Sequence, residues 1–87
     1  MGLHIDEVAD LLKEVGLKIH LKIPKSTSTR WDIYTIRELQ KKTIVGELRH
    51  TAGQGLDQQT AIDLDDDFSF TQDQIDVVKK ILDANEE

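Results

Sequence analysis

The chain has no cysteine among its 87 residues. That excludes disulfides, thiolate zinc sites, iron–sulfur clusters and cysteine nucleophiles. Small extracellular domains ordinarily need such staples, so the composition points to a cytoplasmic protein. No apolar run approaches the roughly 20 residues of a membrane-spanning helix, so no membrane partner is expected. The segment Met1-Gly2-Leu3-His4-Ile5-Asp6-Glu7 has neither a basic start nor an apolar stretch, and does not read as a secretion signal. Asp6 also stands where a myristoylation signal has Ser or Thr. Serine occurs only at Ser26, Ser28 and Ser69, without a G-x-S-x-G turn.

What remains is a short, charged chain with clear periodicity. Its length suits a single domain, residues 1–87, with one layer of helix on one sheet. The formal net charge of −6 is unevenly spread. Residues 1–16 carry four acids and one base, residues 17–50 eight bases and three acids, and residues 51–87 ten acids and two bases. A basic middle therefore lies between two acidic ends.

Ile5, Val8, Leu12 and Val15 recur at helical spacing, which predicts a helix over 5–15 ended by Gly16. Leu17-Lys18-Ile19-His20-Leu21-Lys22-Ile23 alternates without interruption, the pattern of a half-buried strand stopped by Pro24. The aromatic and β-branched residues of 31–39 and 43–50 predict two further strands, with Gln40, Lys41 and Lys42 at the turn. Ile33, Ile36, Leu39 and Ile44 also fit a helical spacing, so a partly helical 31–50 is the alternative. Trp31 and Ile33 share one parity and Tyr34 and Ile36 the other, which calls for a bulge or a second face that is partly covered or used. A fourth short strand is expected near 61–65. Thr71 and Gln74 have the spacing of a capping box, flanked by Phe70 and Ile75 at the positions of a hydrophobic staple, and open a helix running to about Ala84. The expected fold is a two-layer α+β sandwich in the order α-β-β-β-(β)-α. It has an antiparallel sheet of three to four strands, with both helices packed on one face.

No residue set stands out as catalytic, cofactor-binding or metal-binding, and an enzyme is not expected. The acids Asp63, Asp65 and Asp67, with Asp66 between them, fit the first positions of a calcium loop. Phe68 and Gln74, however, stand where its glycine and bidentate Glu belong. These acids read more simply as a solvated strand end that complements the next helix N-terminus. His20 and His50 would form a two-histidine site if their strands were neighbours, but a surface histidine is the commoner arrangement. Gly53-Gln54-Gly55 lacks the third glycine, the lysine and the helix of a phosphate loop, and reads as a connection.

The basic middle carries more weight. Lys18, His20 and Lys22 point away from the aliphatic side of their strand, and Arg30, Trp31, Tyr34, Arg37 and Arg49 follow. Cations interleaved with aromatics on an open sheet suit single-stranded nucleic acid, although a net charge of −6 opposes its approach. The plainer reading is that the lysines solubilise the strands while Trp31 is buried. The carboxylates after residue 50 offer the opposite surface, steering a basic partner or mimicking nucleic acid. The helix–strand–strand–strand–helix order resembles double-stranded RNA-binding domains, with Asp73 and Asp76 in place of their basic second-helix start. Layout, size and charge are also similar to those of some small phage-encoded nuclease inhibitors. Both likenesses are of layout alone, over the whole chain. The expectation is a small protein-binding, regulatory or inhibitory domain that contacts its partner through Lys18, His20, Lys22, Tyr34 and Arg37 or through the Asp63–Asp76 segment. The alternatives are single-stranded nucleic-acid binding and a homodimer joined through a sheet edge.

Overall fold

The computed structural model of the chain describes residues 2–23, 31–51 and 58–85. Helix α1 (Ile5–Glu14) leads into strands β1 (Leu17–Ile23), β2 (Trp31–Glu38), β3 (Thr43–Thr51) and β4 (Thr60–Leu64), and helix α2 (Gln72–Ala84) follows. The strands form one antiparallel sheet in the order β1-β2-β3-β4. This is the expected α+β sandwich with a full fourth strand, and 31–50 is a hairpin rather than a helix. The Gly53–Gly55 loop and Arg30 lie outside the described residues.

Both helices bury one stripe against the same side of the sheet. Val8 and Leu12 of α1 and Val78 and Ile81 of α2 meet Leu17, Ile36, Val45 and Leu48 of the sheet in one core. Two irregularities adjust the alternation. The β2–β3 register shifts between Ile36 and Arg37, where β3 contributes the extra Val45, which is fully buried. The β1–β2 register shifts between Leu21 and Ile23. Beyond that shift Ile23 faces Ile33, so apolar residues emerge on the far side of the sheet. Gly46 lies between Ile36 and Leu64, and a Cβ there would run into the Asp63 backbone.

Polar side chains close both ends of the helical layer. Thr71 and Gln74 form the capping box: Thr71 Oγ1 accepts from the Gln74 amide at 3.2 Å, and Gln74 Oε1 accepts from the Thr71 amide at 3.0 Å. The other end of the same buried amide, Gln74 Nε2, donates to the Val15 carbonyl at 3.0 Å, just beyond α1. Gly16, at φ 78°, ends α1 in the left-handed region, and its carbonyl accepts from the Leu39 amide. At the opposite end, Asn85 Oδ1 accepts from the Thr60 amide at 3.0 Å and Asn85 Nδ2 donates to the Thr60 carbonyl at 2.7 Å. One side chain thereby stands in for a neighbouring strand at the outer edge of β4.

Replacing Gln74 by Ala leaves the Thr71 amide and Val15 carbonyl without these partners. The expected loss is about 2–3 kcal/mol, read from urea unfolding. Gln74→Glu keeps the cap but loses the donor to Val15, so it should recover part of its deficit at low pH, where the protonated carboxyl donates again. A loss below about 0.5 kcal/mol for the Ala variant would show that the helix junction does not rest on this amide.

Candidate functional site

The register divides the expected surface residues between the two sides of the sheet. Lys18, His20 and Lys22 of β1 lie on the side without helices, as do Trp31 and Arg37 of β2, Arg49 of β3 and Asp63 of β4. Tyr34 is a correction. It is paired with Leu21 and Leu48 on the helical side and packs against the core, because its parity is that of Ile36. It therefore cannot share a contact face with Lys18 and Arg37. The phenol pKa is raised above its ordinary 10.0 by burial first, then by the charges of Asp32 and Asp6.

The two histidines do not meet, and His50 is not on the surface. His20 is exposed on β1, whereas His50 is buried on the helical side of β3, with β2 between the two strands. His50 Nε2 lies 2.7 Å from Gln58 Oε1 and Nδ1 lies 2.9 Å from Thr60 Oγ1. Each ring nitrogen thus has a polar partner. His50 is a satisfied core histidine. Asp65, Asp66 and Asp67 are exposed beyond β4. Among the described residues, no group of three or more His, Cys, Asp or Glu could hold a metal ion, and no helix is long and apolar enough to cross a membrane.

An open depression of about 760 Å3 lies at the basic end of the free face. Lys18, His20, Arg37, Lys42, Leu39 and Ile44 contribute to its lining. Lys18 and Arg37 stand directly opposite each other on neighbouring strands, and Arg37 faces Ile44 across the next ladder. Lys22 bridges to Glu47 at 3.2 Å with both side chains well exposed, an arrangement worth little. The carboxylate of the buried Glu38 is engaged by the turn amides of Gln40 at 2.9 Å and Lys41 at 2.6 Å. Leu39 and Ile44 are 41% and 47% exposed. The depression thus combines cations and uncovered aliphatic surface with the carboxylates of Glu38 and Glu47, both already engaged as described.

Composition did not single out Leu39, Ile44 or Glu47. The two apolar residues look like ordinary strand positions in sequence, and only the bulge at Val45 brings Ile44 to the free face. Lys42 is held at φ 55°, in the left-handed region, so the tight turn places a cation there at the cost of strain. No family model, curated protein or solved structure matches the chain.

Lys42→Gly should relieve that strain and raise stability by about 0.5–1 kcal/mol in denaturant unfolding. A lower stability would mean that the lysine stem makes a compensating contact. Tyr34 is the one tyrosine, so phenolate absorbance reports it cleanly. Its native midpoint should lie above 10 and return towards 10 in denaturant. The folded state holds this proton more tightly, so its stabilising contribution is complete below pH 10 and is lost as pH rises through the native midpoint. A native midpoint at or below 10 would contradict the burial of the phenol.

Proposed function

We propose that this chain is a non-enzymatic binding domain, regulatory or inhibitory in role, that recognises another protein through the basic end of its free sheet face. The observation that carries this reading is the cross-strand register of Lys18 with Arg37. Like charges held opposite each other lower the stability of the isolated protein. Among the described residues, neither cation has an ion-pair partner: Glu47 is bridged to Lys22, and Glu38 is turned into its own loop. A carboxylate supplied by a partner relieves this repulsion, while Leu39 and Ile44 offer apolar contact beside it.

Single-stranded nucleic acid finds less support. The face carries Trp31, but Tyr34 is on the other side. A strand laid across the sheet would pass from Lys18 and Arg37 onto Glu47 and Asp63, which are themselves paired across β3 and β4.

The test combines stability with binding. Lys18→Glu should leave the fold intact and raise its stability by about 0.2–1 kcal/mol through a new cross-strand ion pair with Arg37. The protein retained by the wild-type chain, identified and purified, should bind Lys18→Glu/Lys42→Glu at least tenfold more weakly and Asp66→Lys unchanged. Equal binding to all three would overturn the reading. So would micromolar, salt-sensitive binding of single-stranded DNA or RNA in anisotropy titrations, in favour of nucleic acid.

A further inference from the structure

The two edges of the sheet are not equivalent. At β4 the outer amide and carbonyl of Thr60 are occupied by the Asn85 side chain. At β1 six of the seven residues of Leu17–Ile23 are in register with β2, Lys22 standing at the shift, and no second strand adjoins β1 among the described residues. Among the described residues, no turn, loop or cap backbone bond reaches 18–23. Along Leu17–Leu21, before that shift, every second residue presents its N–H and C=O outward, as an edge strand must. Lysines on an edge commonly deter pairing. A strand built only to deter would not also leave Leu21 55% and Ile23 46% exposed.

Resting on the reading above, we propose that the partner contributes an extended segment of alternating acidic and apolar residues. It adds to the sheet as a fifth strand along β1. Its backbone completes the β1 edge, its carboxylates face Lys18, His20 and Lys22, and its apolar side chains lie on the side of Ile19 and Leu21. A second copy of this chain does not fit. Antiparallel self-pairing centred on His20 places Lys18 opposite Lys22 twice. Like charges opposite each other disfavour that register. The same lysines that exclude β1 itself select an acidic strand, so β1 is an edge with a built-in preference.

The test uses four synthetic nine-residue peptides: alternating Glu and Val, alternating Lys and Val, and the Glu–Val peptide N-methylated at every second amide in each of the two phases. These are titrated into the isotopically labelled full chain. The unmethylated Glu–Val peptide should shift the amides of 18–22 and slow hydrogen exchange at alternate positions of β1. The Lys–Val peptide should not. One N-methylated phase should lose at least tenfold in affinity, because only one set of amides points at β1. Lys18→Glu/Lys22→Glu should weaken the Glu–Val peptide at least tenfold while keeping the far-ultraviolet circular dichroism of the wild type. Wild-type protein should sediment as a monomer. Three results would overturn the proposal: no β1 response at millimolar peptide, equal affinity of both N-methylated phases, or a wild-type dimer with protected β1 amides. Equal affinity of the methylated phases with shifts around Arg37 and Lys42 would remove strand addition yet leave the face as a protein-binding surface. Loss of partner binding only in variants away from that face would remove both.

Discussion

The structure depends on one buried amide. Gln74 caps α2 through its oxygen and holds the end of α1 through its nitrogen. A domain of this size, without disulfides, has little apolar burial to spare for unpaired helix ends. The consequence reaches the free face of the sheet. With α1 ended at Gly16, the Gly16 carbonyl takes the Leu39 amide, and Glu38 gathers the amides of Gln40 and Lys41. The β2–β3 turn is thereby held in the conformation that puts Leu39 and Lys42 beside Lys18 and Arg37. The helical layer sets the site on the opposite side of the sheet through backbone hydrogen bonds.

The other end of the molecule is closed by a different device. Asn85, just past α2, makes both hydrogen bonds that a fifth strand would make at Thr60, and the Gln59 side chain donates to the Asn85 carbonyl. His50 spans Thr60 and Gln58 beneath it. These contacts fasten the end of α2 to β4 and occupy part of that edge. No equivalent side chain reaches β1 among the described residues. The difference between the two edges follows from where α2 ends, and it leaves the β1 edge without such a cap among the described residues.

Much of the architecture is legible in sequence because its signals are local. Leu17–Ile23 alternates with period two, Thr71 and Gln74 have capping-box spacing, and Gly16 follows a clean helical stripe. Tyr34 was misplaced because its neighbour Ile33 is also apolar. Parity within a strand with apolar residues on both sides does not identify the buried face until a partner fixes the register. His50, Asn85 and Glu38 gave no signal because their partners are backbone groups or residues made near by folding. Thr60, for example, is 25 positions from Asn85. Ile44 reached the site through a bulge in β3, a feature set by cross-strand packing and not by the residues 43–46 themselves.

The charge pattern acquires its meaning from the topology. In a meander the strands lie side by side in chain order, so a gradient along the sequence becomes a gradient across the sheet. The basic stretch supplies Lys18, Lys22 and Arg37 on β1 and β2. Glu47 and Asp63 mark the change of sign on β3 and β4, and the acids of 65–67 continue it past the edge. Arg49, exposed beside Ala61, interrupts the trend without reversing it. Such a face has a direction. An acidic strand arriving along β1 is attracted at that edge and repelled from the β4 side, which favours one docking orientation before any close contact forms. The net charge of −6 acts in the same sense: it would hold off a strongly acidic partner in general, and the concentrated cations would admit it at one place, so that selectivity would arise from placement more than from total charge.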